Sequence, residues 1–336
     1  MEAERAKRAA RVGLISLGCA KNLVDAEIML GSLLKEGMEI VNDATQADAL
    51  IVNTCSFIDA AQEESVDTIL ESAELRDTHH RGQALIVSGC LPQRFRDQLP
   101  ELLPEVDAFM GIDQVAQIGQ IVQEALDRRC RRLAKGSLEL PVGRATPKAA
   151  ARLAQLEQSR QHVAPTARAP SPRGPGALGK TKRILASSSA PQAAGSTTSA
   201  PAVLVNLRPH YIPDYATPRF RLTPKHFAYV KIAEGCNHPC SFCIIPRMRG
   251  SHRSRPQHDL VREARDLLAQ GVKELNLISQ DSTYYGLDLR ENHRPNIASP
   301  EKFRAAAGSL SANSATLCTL LRELNAKKSD TQSKPK

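Results

Sequence analysis

One short plan recurs three times between Val12 and Cys90, and it restricts the fold more than any other feature of the chain. Val12-Gly-Leu-Ile-Ser-Leu-Gly-Cys19, Ala49-Leu-Ile-Val-Asn-Thr-Cys55 and Ala84-Leu-Ile-Val-Ser-Gly-Cys90 are each an apolar run of strand length that closes on a small or polar residue and then cysteine. Helical patterns fill the intervals: Leu23, Ile28, Met29, Leu33 and Leu34 recur on one face up to Gly37, and Val66, Ile69 and Leu70 do so before Leu75. Strands alternating with helices predict an α/β unit with an open parallel sheet and right-handed crossovers. In such a sheet the C-terminal strand ends share one edge, where open α/β folds bind ligands. Cys19, Cys55 and Cys90 are 36 and 35 residues apart, yet this topology brings their thiols to one rim and predicts a three-cysteine cluster site. Three buried strand-end cysteines with nothing bound are the alternative. Val106 to Gly111 reads as an edge strand, and Asp113 reads as the N-cap of a helix over 114–129. Arg128, Arg129, Arg131 and Arg132 crowd the end of that helix, where cations suit the macrodipole. Cys130, among them, is assigned no role.

The second cysteine group is tighter. Glu234-Gly-Cys-Asn-His-Pro-Cys-Ser-Phe-Cys-Ile-Ile-Pro246 sets Cys236, Cys240 and Cys243 in a CxxxCxxC array on a loop. Three thiolates so close in sequence can surround one metal centre without distant help. Zinc normally takes four ligands, whereas three cysteines suit a four-iron cluster with one iron left open. A zinc knuckle completed by His238 or His252, or three ordinary buried cysteines, remain as other readings. The loop follows a strand at 226–233; an amphipathic helix over 257–270 and a strand at 274–279 follow it, making a βαβ unit with the loop at the C-terminal end of its first strand. Parallel barrels keep their chemistry there. The stretch 290–315 is polar and patternless, and 316–325 reads as one more helix.

The net charge of +9 raises the question of nucleic acid, but its location answers it. Between Pro141 and Pro201 nine Lys and Arg face one acid, Glu157, in a run rich in Ala, Pro, Ser and Gly. Such a segment has too little apolar surface to offset its ordering entropy and reads as a disordered basic linker or insertion. A direct nucleic-acid interface is not expected. Residues 1–11 are a charged extension, no apolar run approaches the roughly 20 residues needed to cross a bilayer, and the expected compartment is cytoplasmic, with cysteines serving as metal ligands or reduced thiols.

Both cysteine groups together resemble a known family. CxxxCxxC with an aromatic, Phe242, before its last cysteine resembles the signature of radical S-adenosylmethionine (SAM) enzymes, and the N-terminal triad in three βα loops is similar to the methylthiotransferase branch. Ser16-Leu-Gly-Cys-Ala-Lys-Asn-Leu-Val-Asp25, Gly89-Cys-Leu-Pro-Gln-Arg94, Cys240-Ser-Phe-Cys-Ile-Ile-Pro-Arg-Met-Arg-Gly250 and Ile278-Ser-Gln-Asp281 resemble the RimO type, which modifies an aspartate of small-subunit ribosomal protein twelve. The resemblance covers about 12–133 and 221–289.

It implies a division of labour between two 4Fe–4S clusters. Cys236, Cys240 and Cys243 would hold the one that binds SAM and cleaves it to a 5′-deoxyadenosyl radical; Cys19, Cys55 and Cys90 would hold the auxiliary one, where the sulfur of the methylthio group is bound. An aspartate β-carbon has no accessible acidity, so a radical is required. Phe242 would pack near the adenine, or be a core residue under the loop. Gln280 and Asp281 would contact the cofactor, or form a strand-end turn. Asn22, Asp25 and Asn53 lie near the auxiliary loops, where capping is the preferred role for the first two. Arg247, Arg249, Arg253 and Arg255 form a basic patch that steers an acidic target or is a solvated face. The implied partners are the ribosomal protein and an electron donor such as a flavodoxin.

The expected organisation is an extension at 1–11, a methylthiotransferase α/β domain at 12–133, a disordered basic linker at 134–205, a partial radical SAM core at 221–326 and a charged tail at 327–336. A full barrel needs about 200 residues, and 110 remain from Phe227 to Lys336. The resemblance therefore implies an incomplete barrel without the family's TRAM domain, and a chain that is inactive or poorly folded as written. A tRNA methylthiotransferase of the MiaB kind, a non-catalytic iron–sulfur fragment and a zinc module stay open.

Overall fold

The computed structural model describes residues 8–134, 151–152, 154–155, 200–238, 240–290, 299–311 and 314–332. Its first unit is a six-stranded, wholly parallel sheet. The strands are β1 (Arg11–Ser16), β2 (Glu39–Ile40), β3 (Ala49–Thr54), β4 (Ala84–Gly89), β5 (Ala108–Met110) and β6 (Ala202–Leu204), in the order β2-β1-β3-β4-β5-β6. Every residue of β3 and β4 is buried, as expected of central strands covered on both faces, which carry unbroken apolar runs instead of alternation. One face packs beneath α1 (Ala20–Lys35) and α5 (Ile118–Ala134), the other beneath α2 (Asp59–His79) and the short helices α3 (Cys90–Phe95) and α4 (Leu99–Leu102).

Register sets the site. Ser16 pairs with Asn53, Asn53 with Ser88, and Thr54 with Gly89, so β1, β3 and β4 end level with one another. Strand order reverses between β1 and β3, the switch point at which such sheets form a crevice.

Three expectations need correcting here. The strand around Val106–Gly111 is not an edge, because β6 pairs outside it. Ala202–Leu204, assigned to the linker, is that outer strand, and its backbone completes the hydrogen bonding of β5. Asp113 does not cap the helix; it lies in a 3-10 turn (Ile112–Gln117), and its carboxylate accepts from the backbone N–H of His210 and Tyr211 and from the Asn206 amide, fastening the returning chain. Most of the basic segment lies outside the described residues, as do 1–7. Within it Arg152 is buried and makes a two-pronged ion pair with Glu105.

The second unit is built on β7 (Phe227–Lys231) and β10 (Glu274–Ile278), parallel and joined through α7 (Gln257–Ala269). Between β7 and α7 the chain makes a small antiparallel ribbon, β8 (Ala233–Glu234) against β9 (Arg253–Ser254), with α6 (Ile245–Met248) and the cysteine loop between them. Residues 290–315 are not patternless: α8 (Pro300–Gly308) forms there, capped by Ser299 Oγ accepting from Lys302 N–H. None of its residues is buried, which is why no apolar periodicity announces it. The last helix, α9 (Leu317–Gln332), runs into the expected tail and lies on α7. No helix among the described residues is long and apolar enough to cross a membrane.

Helix α1 joins the units. Twelve of its sixteen residues are buried, including Lys21, Asn22, Asp25 and Glu27, because its second face meets the second unit instead of water. Glu27 accepts from the Leu222 N–H at 2.7 Å and pairs with Arg219 at 2.5 Å, tying the entering chain to the helix.

Candidate metal centre

The N-terminal cysteines sit where the level strand ends place them. Cys19 is the extended N-cap residue of α1, Cys55 follows β3, and Cys90 opens α3. Two glycines make the close approach possible. Gly18 has φ +88°, and a Cβ there would lie 2.6 Å from Cys55 Cβ; Gly89 has φ +95°, and its Cβ would lie 2.5 Å from Thr54 O. Asn22 stitches the ends together, its amide nitrogen donating to Leu17 O at 3.1 Å and Thr54 O at 2.8 Å. Asn53 donates to Asn22 O at 2.8 Å. Capping is therefore not the role of Asn22.

The second triad hangs from the ribbon. Gly235, at φ +77°, lets the chain turn against Ser251 O, 2.2 Å from where a Cβ would stand. The Cys236 N–H donates to Gly250 O at 3.1 Å, and the Cys243 N–H to Cys240 O at 3.2 Å. His238 N–H approaches Cys236 Sγ at 3.4 Å, and its ring reaches Asp281 at 2.9 Å. His252 is buried and turned to Ser254 Oγ at 3.1 Å.

A cavity of about 680 Å³ lies between the units. Cys19, Cys55 and Cys90 line one side and Cys236 and Cys243 the other, with Gln280 and Arg249 also on its wall. Cys240 is exposed and does not line it. Phe242 does not either: it is 89% exposed, so it is not a core residue beneath the loop. Neither His238 nor His252 lines the cavity. Among the described residues no three His, Cys, Asp or Glu side chains are drawn together closely enough to hold a metal ion as they stand. The donor set fits iron–sulfur chemistry: thiols on both walls and no imidazole facing the space.

A buried charge network that sequence reasoning missed spans the seam between the units. Asp25 pairs with Lys231 and, at 3.1 Å, with Arg249; Glu234 pairs with Arg249 at 3.1 Å, Lys231 at 3.0 Å and Lys21 at 3.4 Å. Asp25 is thus an ion-pair partner and not a cap. Gln280 donates its amide N–H to Glu234 at 2.9 Å, while its amide oxygen is buried with no partner in the structure. Burial pulls Lys21 down to about 8, with Glu234 opposing. Burial works against ionised Glu234, yet Lys21, Lys231 and Arg249 together hold it well below the usual carboxylate range. Burial pushes the Cys90 thiol up, opposed by the neighbouring Arg249, and pushes Cys236 up as well.

The expected basic patch dissolves in this network. Arg249 and Arg255 are buried, the latter on Glu263 and on Lys231 O; Arg253 is spent on the carbonyls of Arg249, Ser251 and Tyr211. Of the four, Arg247 is the exposed one. The missed residues did leave a trace. Asp25, Lys231 and Glu234 are charges set inside apolar runs, which signals a buried partner.

Residues 11–111 match the family described as "Uncharacterized protein family UPF0004", and residues 230–306 match the radical SAM superfamily. The chain thus carries a radical SAM segment behind a UPF0004 segment. Over most of its length it is similar to the proteins named "Ribosomal protein uS12 methylthiotransferase RimO". It is 44% identical to that of Opitutus terrae over 95% of its own length and 53% of the relative, and 42% identical to that of Akkermansia muciniphila over 94% and 53%. With that of Koribacter versatilis the identity is 42% over 83% of the chain and 49% of the relative. The chain spans about half the length of the curated relatives it matches.

Proposed function

We propose that this chain holds the paired centres of a radical SAM methylthiotransferase that places a methylthio group on an aspartate β-carbon of ribosomal protein uS12. The observation that carries the reading is the cavity faced by both cysteine groups. Cys236, Cys240 and Cys243 would ligate the SAM-binding 4Fe–4S cluster, and Cys19, Cys55 and Cys90 the auxiliary one. When bound, the clusters supply reductive SAM cleavage on one side and a sulfur-carrying iron on the other. The protein's part is placement. Level strand ends and Asn22 fix one triad, Gly235 and the Gly250 carbonyl fix the start of the other, and the ion pairs of Asp25 with Lys231 and Arg249 set the distance between them. Gln280, with its amide oxygen unpartnered beside the cavity, would accept a hydrogen bond from the cofactor; Phe242, in the open, would close over it. A flavodoxin-type donor would supply the electron.

The test uses this chain alone and a chimera joining it to the part of the Opitutus terrae relative beyond the matched region. Each is reconstituted anaerobically with iron and sulfide and given SAM, a reductant and either uS12 or tRNA. Peptide mass spectrometry is expected to find a methylthiolated aspartate in uS12 with the chimera, none with the chain alone, and unmodified tRNA in both. Modified tRNA with unmodified uS12 contradicts the assignment.

A further inference from the structure

The seam holds more positive than negative charge. Lys21, Lys231 and Arg249 stand against Asp25 and Glu234, and all five are buried. Among the described residues one cation is left over, and an uncompensated charge away from water is costly until an anion completes it. The contacts show where that anion belongs. Both carboxylates are occupied within the network. Lys21 and Arg249 both line the cavity, but Lys21 Nζ turns back to Ala233 O and Glu234, whereas Arg249 reaches the N-terminal triad, placing Nη2 2.5 Å from Asn22 Oδ1 and 3.5 Å from Cys90 Sγ. Its backbone belongs to the opposite unit, and the next residue, Gly250, supplies the carbonyl that accepts from Cys236 N–H. A single side chain thus links the backbone bracing Cys236 to the sulfur of Cys90.

We propose that Arg249 is a positioning residue for the N-terminal centre: its guanidinium, 3.5 Å from the Cys90 sulfur, would donate to the cluster held there, whose negative charge would balance the seam, and it fixes the separation of the two cysteine groups. This rests on the two-centre reading above. An oxidised four-iron cluster on three thiolates bears net negative charge, the sign the seam lacks. A cation donating N–H to a ligating sulfur favours the reduced, more negative cluster and raises its reduction potential. Lysine would keep the charge but lose the planar fork that reaches Asp25, Glu234, Asn22 and Cys90 together.

The experiment separates the centres within the full chain. A Cys236→Ala/Cys240→Ala/Cys243→Ala background leaves the N-terminal triad, and Cys19→Ala/Cys55→Ala/Cys90→Ala leaves the other. Arg249→Gln and Arg249→Lys are placed in each, and bound iron and the midpoint potential, followed by electron paramagnetic resonance, are measured after anaerobic reconstitution. In the first background Arg249→Gln is expected to lower the potential and cut bound iron to roughly half or less. Arg249→Lys is expected to restore iron but only part of the potential, and both quantities should change less in the second background. Unchanged potential and iron in Arg249→Gln overturn the inference. So do equal losses in both backgrounds with a lowered melting temperature, the outcome of a purely structural role. If the first background binds no iron while Arg249 is intact, the two-centre reading itself fails and takes this inference with it.

Discussion

Removing a charge from the seam should cost very different amounts according to its sign. In the iron-free protein Asp25→Asn leaves Lys21, Lys231 and Arg249 against Glu234 alone, whereas Lys231→Met leaves two cations against two carboxylates. For Asp25→Asn the loss is that of breaking a buried pair, about 3–5 kcal/mol. The geometry supports that scale: Arg249 and Asp25 are 3.1 Å apart, and at an effective dielectric constant near 20 such charges attract by about 5 kcal/mol. Lys231→Met gives up its charged hydrogen bonds, about 1.5–3 kcal/mol, but also removes the excess cation, so it should fall at or below the lower figure. Urea denaturation followed by far-UV circular dichroism measures both. Iron loading adds negative charge at Cys90, so the gap should narrow in reconstituted protein, where one variant is left with a surplus cation and the other with a surplus anion. Lys231→Met costing as much as Asp25→Asn in the iron-free protein would refute the charge argument.

Gly89→Ala forces a Cβ to within 2.5 Å of Thr54 O at φ +95°; backbone strain of about 1–3 kcal/mol and loss of iron from the N-terminal triad are expected, read by thermal melting and iron analysis. Burial lowers the pKa of His252, with Asp288 and Asp281 opposing. Below about pH 6.5 the unfolded chain therefore takes a proton that the folded protein resists, and stability falls as pH drops; His252→Phe should flatten that slope in melting curves between pH 7 and 5. Phe242, 89% exposed, contributes little to the core, so Phe242→Ala should change stability by no more than about 0.5 kcal/mol while weakening SAM binding measured by calorimetry.

The parallel sheet and the placing of Cys19, Cys55 and Cys90 along one cavity were legible because they follow from local facts: apolar runs buried on both faces, and a cysteine one to three residues past each strand. The seam was not. Its partners are far apart in sequence, 206 residues for Asp25 and Lys231 and 227 for Asn22 and Arg249, and a charged residue written beside others of its sign reads as surface until its partner is in view. That is why Arg249 and Arg255 passed for a basic patch. Helix α8 escaped notice for the opposite reason, since a helix that buries nothing has no apolar period to read. Asp113 misled in a third way: Asp before a helix suggests a cap, but three donors from residues 206–211 claim its carboxylate.

The central claim is that two independent iron–sulfur centres face one cavity. Iron and sulfide per chain after anaerobic reconstitution, for the wild type and for Cys236→Ala and Cys19→Ala, test it most directly. The account predicts about eight irons in the wild type and about four in each variant. Bound zinc, no bound metal, or a single substitution that empties both sites would contradict it.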